Sequence, residues 1–415
     1  MPKQVLDIGF FSYMYSQVSG IAKAVRSLAA AIAKTGHRIH VFSPAIRNGN
    51  SKPKTLFHHN IGGYRVGHDP EIILSFPIHN YFFPDQEYLD LIHIMTPVTI
   101  GLMGLNWAKY LGKAMIGTHH SPLSFYSDSY IPILGKLMSK TGFLWAWERH
   151  IWQKFDLITV PTPSKKKLLL KHRFTKTPII SLTNGIEDFY FKKVNGEEIR
   201  EKYKIGDKKL LVYASRQSPE KNIEKIVRSF GKIHNVVPDS HLLLVGSGPS
   251  MESIKHRINR YRLNDCVTQT GYVPDIELLK IYKTADVTTL YSWVEAEGLV
   301  LLEAMAQGTP SVGANGCGIQ DVIRHGKTGY LVENLKEFED RIIQLFQNDD
   351  LRAEFSENCL KYAETHRINE VAKRWVEIYK FTINELHPLR YYKKPNEERF
   401  TKVREFANNR LGLIF

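Results

Sequence analysis

The stretch VLDIGFFSYMYSQVSGIAKAVRSLAAAIAKTGHRIHVFSP, residues 5–44, contains the two periodicities that decide the fold. It opens with the apolar run VLDIGFF and closes with RIHVFSP, and both runs have the length of buried strands. Between them, apolar residues recur on one face of a helix: Ile21, Val25, Leu28, Ala29 and Ile32. Gly36 is typical of a helix end. This order of strand, helix and strand predicts parallel strands joined by a crossover helix.

The same alternation continues through the rest of the chain. Strand-like runs recur in both halves: DLIHIM, AMIGTHH and DLITVPT, then KLLVYASR, HLLLVGSGP, CVTQTGYV and DVTTLYS. The turn-rich segment 178–208 separates the two sets. We therefore expect an α/β protein with two Rossmann-like domains, residues 1–180 and 181–372, followed by a C-terminal segment, 373–415. Two such domains in tandem place a ligand cleft between them, at the carboxyl ends of their strands.

Length and composition are those of an ordinary globular protein. A chain of 415 residues can form two full cores, and 43% hydrophobic with 24% charged residues is typical of soluble proteins. The three scattered cysteines, Cys266, Cys317 and Cys359, argue against a disulfide framework and fit a reducing compartment. No Cys or His cluster has metal-site spacing, so we expect no metal. Because the chain opens with a strand-like run, we expect no signal peptide.

Residues 91–108 contain no charged side chain over nearly the length of a membrane span. However, His93, Pro97, Gly101 and Gly104 interrupt this apolar stretch. We therefore expect the strand DLIHIM followed by a helix, in preference to a spanning helix.

The net charge of +14 is distributed unevenly along the chain. Residues 1–180 contain 21 Lys and Arg against 9 Asp and Glu, and residues 373–415 contain 10 against 5. The middle of the chain, 181–372, contains 25 against 28. Such an excess fits nucleic acid, anionic lipid or an acidic substrate, and its asymmetry predicts that the first domain meets the anion. No nucleic-acid recognition motif is present, so we expect no nucleic acid partner.

The basic excess is concentrated near three tryptophans. Residues 130–180 contain 10 basic and 2 acidic side chains, and Trp145, Trp147 and Trp152 lie within eight residues of one another. Basic residues are interleaved with an apolar stripe at helical spacing: Lys136, Lys140, Arg149 and Lys154 beside Leu134, Leu137, Met138, Leu144 and Ile151. A basic helix that contains tryptophan suits a bilayer surface, so we expect 133–173 to contact an anionic membrane. The alternative is that the apolar stripe packs into the core.

Two loops in the second half have the composition of a phosphate site. The loop ASRQSPEKNI places Arg216 and Lys221 before a helix, and a diphosphate is bound by fixed positive charge and by helix N-terminal amides. In VGSGPSMES, Gly246 and Gly248 permit close approach of the backbone to a ligand. A solvated basic turn and an ordinary glycine turn are the alternatives. The pattern is not GxGxxG, which disfavours a dinucleotide-dependent dehydrogenase.

Two further loops combine carboxylates with glycines. In SWVEAEGLVLLEAMAQGTP, residues 292–310, Glu295 lies in the loop and Glu303 lies in the helix that begins at Gly298. A carboxylate can accept two hydrogen bonds from a vicinal diol, although a capping carboxylate plus a surface glutamate is the simpler alternative. In ANGCGIQDVIRHGKTGYLVE, the glycines at 313, 316 and 318 predict backbone packed close to a ligand or to the Glu303 helix, or plain turns.

The order of these motifs resembles glycosyltransferase family 4 over nearly the whole chain. The elements of the resemblance are R-x4-K, VGxGP, TGYVP, SxxExxGLxxLEAMAxGxP and HGKTGYLV. Members of that family are retaining enzymes of the GT-B fold, in which two Rossmann-like domains flank a cleft. The resemblance implies a nucleoside diphosphate sugar as donor, with UDP-sugar expected and GDP-sugar the alternative, and no further cofactor.

The resemblance also implies roles for individual residues. Arg216 and Lys221 would neutralise the donor diphosphate, which itself takes the acceptor proton in a front-face mechanism. Glu295 would contact hydroxyls of the donor sugar and Glu303 would hold the ribose diol. The remaining donor-binding positions are glycines and backbone amides: Gly20, Gly246, Gly248, Gly298, Leu299 and Val300.

In the first half, GTHHSPLS matches the histidine of the family, which occurs as T-x-H-[TS] near the reacting sugar. That alignment selects His120 over His119. A neutral imidazole can accept or donate a hydrogen bond within a network of hydroxyls. A core histidine is the alternative, since the chain contains 17. Gly20 lies in SQVSGI, which matches the glycine loop that faces the donor phosphate in the family.

The basic segment resembles lipid-acceptor members such as diacylglycerol glucosyltransferases. We therefore expect a membrane lipid acceptor of the diacylglycerol or phosphoinositide type and a peripheral position on the cytoplasmic face of the membrane. The main alternative is the same chemistry on a soluble saccharide or small molecule. A nucleotide-sugar epimerase and a non-catalytic membrane-binding protein are further alternatives. In the GT-B fold the last helix crosses back to the first domain, which fits VAKRWVEIYKFTINEL, while the segment after Pro388 is longer than expected.

Overall fold

The computed structural model describes residues 5–15, 19–44, 53–65, 73–75, 87–120, 122, 142–391 and 395–413. The chain divides into two compact units. The first unit is Met1–Gly185 with Ile368–Phe415, and the second is Ile186–Arg367. The boundaries expected from the sequence, after residues 180 and 372, differ from these by a few residues.

The first unit is built on a parallel sheet. The strands of the described part of this unit are β1 (Asp7–Phe11), β2 (Arg38–Ser43), β3 (Leu56–Asn60), β4 (Tyr64–Arg65), β5 (Ile73–Leu74), β6 (Leu91–Ile94), β7 (Ala114–Thr118), β8 (Leu157–Val160) and β9 (Ile179–Ser181). The main sheet has the order β3-β2-β1-β6-β7-β8-β9 with parallel pairing throughout, and β4 pairs with β5 antiparallel.

Helices connect these strands as the hydrophobic periodicity predicts. They are α1 (Gly20–Lys34), α2 (Ile100–Tyr110), α3 (Phe143–Trp152) and α4 (Pro163–Lys171). The hydroxyl of Ser19 caps α1 by accepting a hydrogen bond from the Ala22 amide at 3.1 Å. The apolar stretch 91–108 forms β6 and α2, as expected. Within the described ranges, no helix is long and apolar enough to cross a membrane.

The second unit contains a six-stranded parallel sheet. Its strands are β10 (Lys209–Ala214), β11 (Ser240–Val245), β12 (Val267–Gly271), β13 (Val287–Leu290), β14 (Ser311–Ala314) and β15 (Gly329–Val332). The order is β12-β11-β10-β13-β14-β15, so the direction of winding reverses between β10 and β13. In such sheets a ligand binds at this switch point, at the carboxyl ends of the strands.

The helices of the second unit cover both faces of its sheet. They are α5 (Glu197–Lys202), α6 (Ile223–Val236), α7 (Met251–Arg260), α8 (Asp275–Thr284), α9 (Leu299–Met305), α10 (Ile319–Val322), α11 (Leu335–Gln347) and α12 (Asp349–Glu364). The central strands β10, β11, β13 and β14 are almost completely buried because helices shield them on each side. Both units therefore have the α/β, Rossmann-like architecture that the sequence predicts.

The C-terminal segment returns to the first unit. It consists of α13 (Ile368–Phe381), a π-helical turn (Thr382–Leu386), a 3-10 turn (Pro388–Tyr391) and α14 (Pro395–Leu411). Helix α13 packs along α1, and its buried side chains join the core of the first unit.

The segment after Pro388, which the sequence left unexplained, binds the start of β8 together with His387, which directly precedes it. Asp156 is fully buried there, and its carboxylate lies 3.1 Å from Nδ1 of His387 and 3.6 Å from Nη1 of Arg390. Nη2 of Arg399 donates to the carbonyl oxygens of Phe155 at 3.1 Å and Asp156 at 2.5 Å. The tail therefore contacts the sheet where β8 begins, at the end opposite the carboxyl ends of the strands.

The basic segment is partly a core element. Leu144, Ile151 and Trp152 of α3 are buried, so the described part of the apolar stripe packs inward. Lys165 is also buried and therefore does not extend the basic surface. Other members of the predicted surface lie outside the described residues: Leu134, Lys136, Leu137, Met138 and Lys140.

Candidate active site

The loops that follow β10 and β13 meet at the switch point of the second sheet. Nζ of Lys221, in the first loop, lies 2.5 Å from Oε1 of Glu295, in the second. Each side chain is 14% exposed, so the ion pair is largely shielded from solvent. Partial burial strengthens both the attraction within this pair and the attraction of either charge for a ligand.

Backbone-directed hydrogen bonds hold these two loops together. Nδ2 of Asn222 donates to the Tyr291 carbonyl at 3.2 Å, and Oγ of Ser292 donates to the Glu220 carbonyl at 3.4 Å. Lys221 ends a 3-10 turn, and Asn222 then adopts φ +54° and begins α6. Lys221 is therefore adjacent to the positive end of a 14-residue helix, where an anion is stabilised.

Gln217 organises the loop that contains Arg216. Its Nε2 donates to the Gly246 carbonyl at 2.8 Å, and its Oε1 accepts from Nε2 of Gln269 at 3.0 Å. Arg216, the preceding residue, is exposed. The sequence did not indicate Gln217, because a single glutamine beside an arginine has no pattern and its partners come from other strands.

The glycines of VGSGP are required by packing between loops. A Cβ at Gly246 would overlap the carbonyl oxygen of Ser215, and a Cβ at Gly248 would overlap that of Gln217. Gly246 also has φ +116°, which favours glycine. The backbone that these glycines approach is therefore the loop that contains Arg216, and their approach to a ligand stays a prediction.

Glu303 lies in the second turn of α9 and is 2% exposed. Gly298, with φ +89°, begins this helix, so the chain enters it directly from the Glu295 loop. Oη of Tyr282 donates a hydrogen bond to Oε2 of Glu303 at 3.4 Å. Burial, and then the Glu303 carboxylate, raise the pKa of Tyr282, so its phenol remains a donor. The alternative that Glu303 is a surface glutamate is wrong.

The glycine loop after β14 packs on the loop that contains Glu295. A Cβ at Gly316 would overlap the ring of Trp293, and a Cβ at Gly318 would overlap the backbone of Ala296. The Gly318 amide donates to the Glu295 carbonyl at 3.2 Å. These glycines therefore fix the backbone position of Glu295.

His120 lies in the first unit, just after β7. Its side chain is buried, and burial, followed by the neighbouring His119 and Lys165, lowers its pKa to about 3. The imidazole is therefore neutral near pH 7. Nε2 of His119 lies 3.8 Å from Oε2 of Glu148, and both side chains are buried.

Gly20, the other residue predicted in the first unit, is the first residue of α1. A Cβ there would meet no atom within 4 Å, so packing does not require glycine at this position. Ser16–Val18 of the same loop lie outside the described residues. Across the described ranges, no group of three or more His, Cys, Asp or Glu side chains is arranged to hold a metal ion.

Solved structures of glycosyltransferases share this fold. Sucrose-phosphate synthase from Thermosynechococcus elongatus matches with a TM-score of 0.77 at 20% identity, covering 90% of this chain and 98% of that one. Anabaena Alr3699/HepE, solved in complex with UDP and glucose, matches with a TM-score of 0.74 at 16% identity, covering 90% and 99%. Two Rossmann-like units of this type define the GT-B class of glycosyltransferases.

The chain belongs to glycosyltransferase family 4. The model described as Glycosyltransferase Family 4 matches residues 18–188, and the model described as Glycosyl transferases group 1 matches 195–362. An N-acetyl-alpha-D-glucosaminyl L-malate synthase from Bacillus anthracis is 28% identical, over 88% of this chain and 94% of that relative. An alpha-monoglucosyldiacylglycerol synthase from Streptococcus pneumoniae is 28% identical, over 74% of this chain and 70% of that relative.

Proposed function

We propose that this glycosyltransferase moves a hexose, with retention of configuration, from a nucleoside diphosphate sugar to a membrane lipid of the diacylglycerol or phosphoinositide type. The observation that carries this proposal is the contact between Lys221 and Glu295 at the switch point of the second sheet. A cation and a carboxylate side by side match a donor in which a diphosphate is joined to a polyhydroxyl sugar.

Donor binding exchanges the partners of this ion pair. Lys221 turns from Glu295 to the diphosphate, assisted by Arg216 and by the N-terminal end of α6. Glu295 then accepts hydrogen bonds from hydroxyls of the donor sugar. Because Lys221 and Glu295 neutralise each other before the donor binds, neither charge is buried without a partner of opposite sign.

The remaining roles follow the family resemblance. Glu303 accepts hydrogen bonds from the ribose diol, and the backbone of residues 298–300 approaches the pyrophosphate. Gly20, Gly246 and Gly248 keep the donor-binding roles that the resemblance implies, and Gly246 and Gly248 support the donor site by letting their loop pack on the loop that contains Arg216. The leaving diphosphate takes the acceptor proton while Arg216 and Lys221 stabilise its charge. His120 is neutral, so it contributes a hydrogen bond to the reacting hydroxyls and no positive charge.

Two observations favour a lipid acceptor. Relatives named alpha-monoglucosyldiacylglycerol synthase come from Streptococcus pneumoniae and Acholeplasma laidlawii. The described part of 133–173 also exposes apolar and basic side chains together: Phe143 and Leu170 are 54% and 44% exposed, and Lys167, Lys171 and Arg173 are exposed. This mixture suits the surface of an anionic membrane, and we place the protein peripherally on its cytoplasmic face.

The second candidate is transfer to a small soluble acceptor. It is favoured by the N-acetyl-alpha-D-glucosaminyl L-malate synthase relative, which aligns over 94% of its own length. In that case the exposed Lys167 and Lys171 of α4 have no part in acceptor binding, and activity does not depend on lipid.

The test is a donor panel of UDP- and GDP-sugars, with and without vesicles of diacylglycerol and anionic phospholipid, and with malate and saccharides as soluble acceptors. Sugar recovered in the lipid fraction only with vesicles supports the proposal and identifies the donor. Transfer only to soluble acceptors selects the second candidate. Turnover of the donor sugar without any acceptor identifies an epimerase or a hydrolase.

A pair of lysine variants tests the site itself. Lys221→Ala removes the cation beside the diphosphate and is expected to weaken donor binding about tenfold or more. Lys209→Ala is the matched control, since Nζ of Lys209 also pairs with a carboxylate, that of Asp349, at 2.9 Å, but lies where β10 begins. Equal donor affinity in the two variants would contradict the assigned site.

A further inference from the structure

A buried chain of hydrogen bonds runs through the sheet of the first unit and ends on the C-terminal helix. Oη of Tyr379, in α13, lies 2.9 Å from Nδ1 of His93, in β6. Nε2 of His93 lies 2.7 Å from Oγ1 of Thr118, the last residue of β7. Oγ1 of Thr118 lies 2.7 Å from Oγ1 of Thr159, in β8. All four side chains are at most 4% exposed.

This chain has one direction of proton donation. Oγ1 of Thr159 is 3.5 Å from the Gly117 carbonyl, which can only accept, so Thr159 donates there and accepts from Thr118. Thr118 then accepts from Nε2–H of His93, whose Nδ1 accepts from the Tyr379 phenol. Burial lowers the pKa of His93 well below 6.5 and raises that of Tyr379, so the histidine is neutral and the phenol is protonated.

Aromatic neighbours hold the His93 ring in place. The Phe10 ring lies edge-on to it at 5.0 Å between centroids, and the Trp375 ring lies at 4.7 Å. Trp375 belongs to α13, as does Tyr379. The C-terminal helix therefore supplies both a ring contact and the hydrogen-bond donor that selects the Nε2–H tautomer of His93.

This series of hydrogen bonds ends beside His120, the residue that we assign to the reaction. Thr118 is followed directly by His119 and His120, and the His119 amide donates to the Thr159 carbonyl at 2.8 Å. Thr118 and Thr159 thus set the course of the backbone from which the His120 imidazole projects. A change of tautomer at His93 would reverse the donation by Thr118 and disturb this segment.

We propose that Tyr379 and His93 are positioning residues, which hold Thr118 and thereby place the His120 imidazole for sugar transfer. This inference rests on the proposed function, because it takes His120 to be part of the reacting hydrogen-bond network. It gives the C-terminal helix a part in the reaction in addition to its packing on α1.

The experiment compares Tyr379→Phe with Thr382→Val. Both remove one buried hydroxyl from the C-terminal segment, and Oγ1 of Thr382 donates only locally, to the Ile378 carbonyl at 2.7 Å. We expect Tyr379→Phe to lower kcat about tenfold with donor KM unchanged, and Thr382→Val to leave kcat unchanged even where it lowers the melting temperature. A fall in melting temperature without a fall in kcat for Tyr379→Phe would show a purely structural role.

A double-mutant cycle locates the effect. In a His120→Ala background, Tyr379→Phe is expected to cause no further loss of kcat, because the group that it positions is already absent. A full additional loss in that background overturns the inference, since Tyr379 would then act independently of His120.

An NMR measurement needs no activity and so separates this inference from the proposed function. In ¹⁵N-histidine-labelled protein, with signals assigned through His93→Gln and His120→Gln, we expect Nδ1 of His93 to be unprotonated. Tyr379→Phe is expected to shift the signals of both histidines. An Nδ1–H tautomer in the unmodified protein, or His120 signals that do not move in Tyr379→Phe, overturns the inference even where no sugar transfer is found.

Discussion

Lys221 and Glu295 come from loops after different strands, and their charged atoms lie 2.5 Å apart. Glu303 lies one turn and a half into the helix that follows Glu295, with its carboxylate buried beside Tyr282. The two glutamates therefore differ in environment, one at the edge of the site and one within it. At the scale of single residues, the two carboxylates are therefore shielded from solvent to different degrees.

Glu303→Gln tests the ribose assignment. The substitution keeps the shape but removes the charge, and we expect nucleoside diphosphate affinity to fall about tenfold, as for loss of a charge-assisted hydrogen bond worth about 1.5 kcal/mol. Calorimetry with the parent nucleotide and with its 2′,3′-dideoxy analogue measures this. The analogue is expected to bind the parent and variant proteins equally, because it has no diol to lose.

The control for Glu303→Gln is Glu339→Gln. Glu339 is a buried glutamate of the same unit, and Oε1 accepts from Ser229 at 2.8 Å and from Lys232 at 3.0 Å. This variant is expected to lower stability without changing nucleotide affinity. An equal loss for the parent nucleotide and the dideoxy analogue in Glu303→Gln would contradict the assignment.

We expect the stability of the protein to depend on pH because His120 has a lowered pKa in the folded state. Its pKa is about 3 in the folded protein and about 6.5 in an unfolded chain, so the unfolded chain binds one more proton between these values. The free energy of unfolding is therefore undiminished above about pH 6.5 and falls as the pH decreases toward 3. The slope due to this residue approaches about 1.4 kcal/mol per pH unit.

Urea unfolding at several pH values between 5 and 8 measures this contribution. His120→Gln is expected to weaken the pH dependence below about pH 6.5, while His150→Gln, at an exposed position on α3, leaves it unchanged. Identical pH dependence in the parent protein and His120→Gln would show that His120 is not held neutral by the fold.

At the scale of elements, the two loops of the site are positioned by other loops as much as by their own strands. The glycines at 246 and 248 allow the loop after β11 to pack on that of Arg216, and Gly318 allows the loop after β14 to pack on that of Glu295. The switch point between β10 and β13 then brings the two together. Because β10 and β13 are neighbours in the sheet, loops that are distant in the sequence lie side by side.

The tail helix α14 is expected to stabilise the first unit through Arg399. Arg399→Met leaves the Phe155 and Asp156 carbonyls without this donor and removes a cation near the buried Asp156 carboxylate. We expect the free energy of unfolding to fall by about 1–3 kcal/mol. Arg410→Met is the control on the same helix, because its side chain is 67% exposed and its ion pair with Glu377 lies at the surface. Urea midpoints of the two variants provide the comparison.

At the scale of the whole molecule, the two units differ in net charge. The sequence is basic in residues 1–180 and 373–415, which together approximate the first unit, and slightly acidic in residues 181–372. A net charge of one sign on one unit orients the protein in the field of an anionic surface. This asymmetry agrees with the proposal that the first unit meets the lipid.

Reversing exposed charges on α4 tests membrane docking. Lys167→Glu with Lys171→Glu is expected to weaken binding to anionic vesicles by about 30-fold or more, since each basic group near such a surface contributes about 1 kcal/mol. Vesicle sedimentation measures this, and the effect should decrease as salt is added. Donor affinity without lipid is expected to stay unchanged.

The matched control reverses two exposed charges on α7 of the second unit, Lys255→Glu with Arg260→Glu. It produces the same change in net charge, so equal loss of vesicle binding in both double variants would mean that total charge, and no particular surface, attracts the membrane. The surface assigned to α4 would then be wrong.

The sequence alone determined the α/β class, the two Rossmann-like units and the family, because strand and helix periodicities and loop motifs depend on residues close together in the chain. It also indicated Arg216, Lys221, Glu295 and Glu303 as a set. It could not indicate Gln217 or Tyr379, whose partners lie on other strands and helices. Only the tertiary structure decided that Lys221 contacts Glu295, that Glu303 is buried and that His120 is neutral, because contact, burial and pKa depend on what the fold places around a side chain.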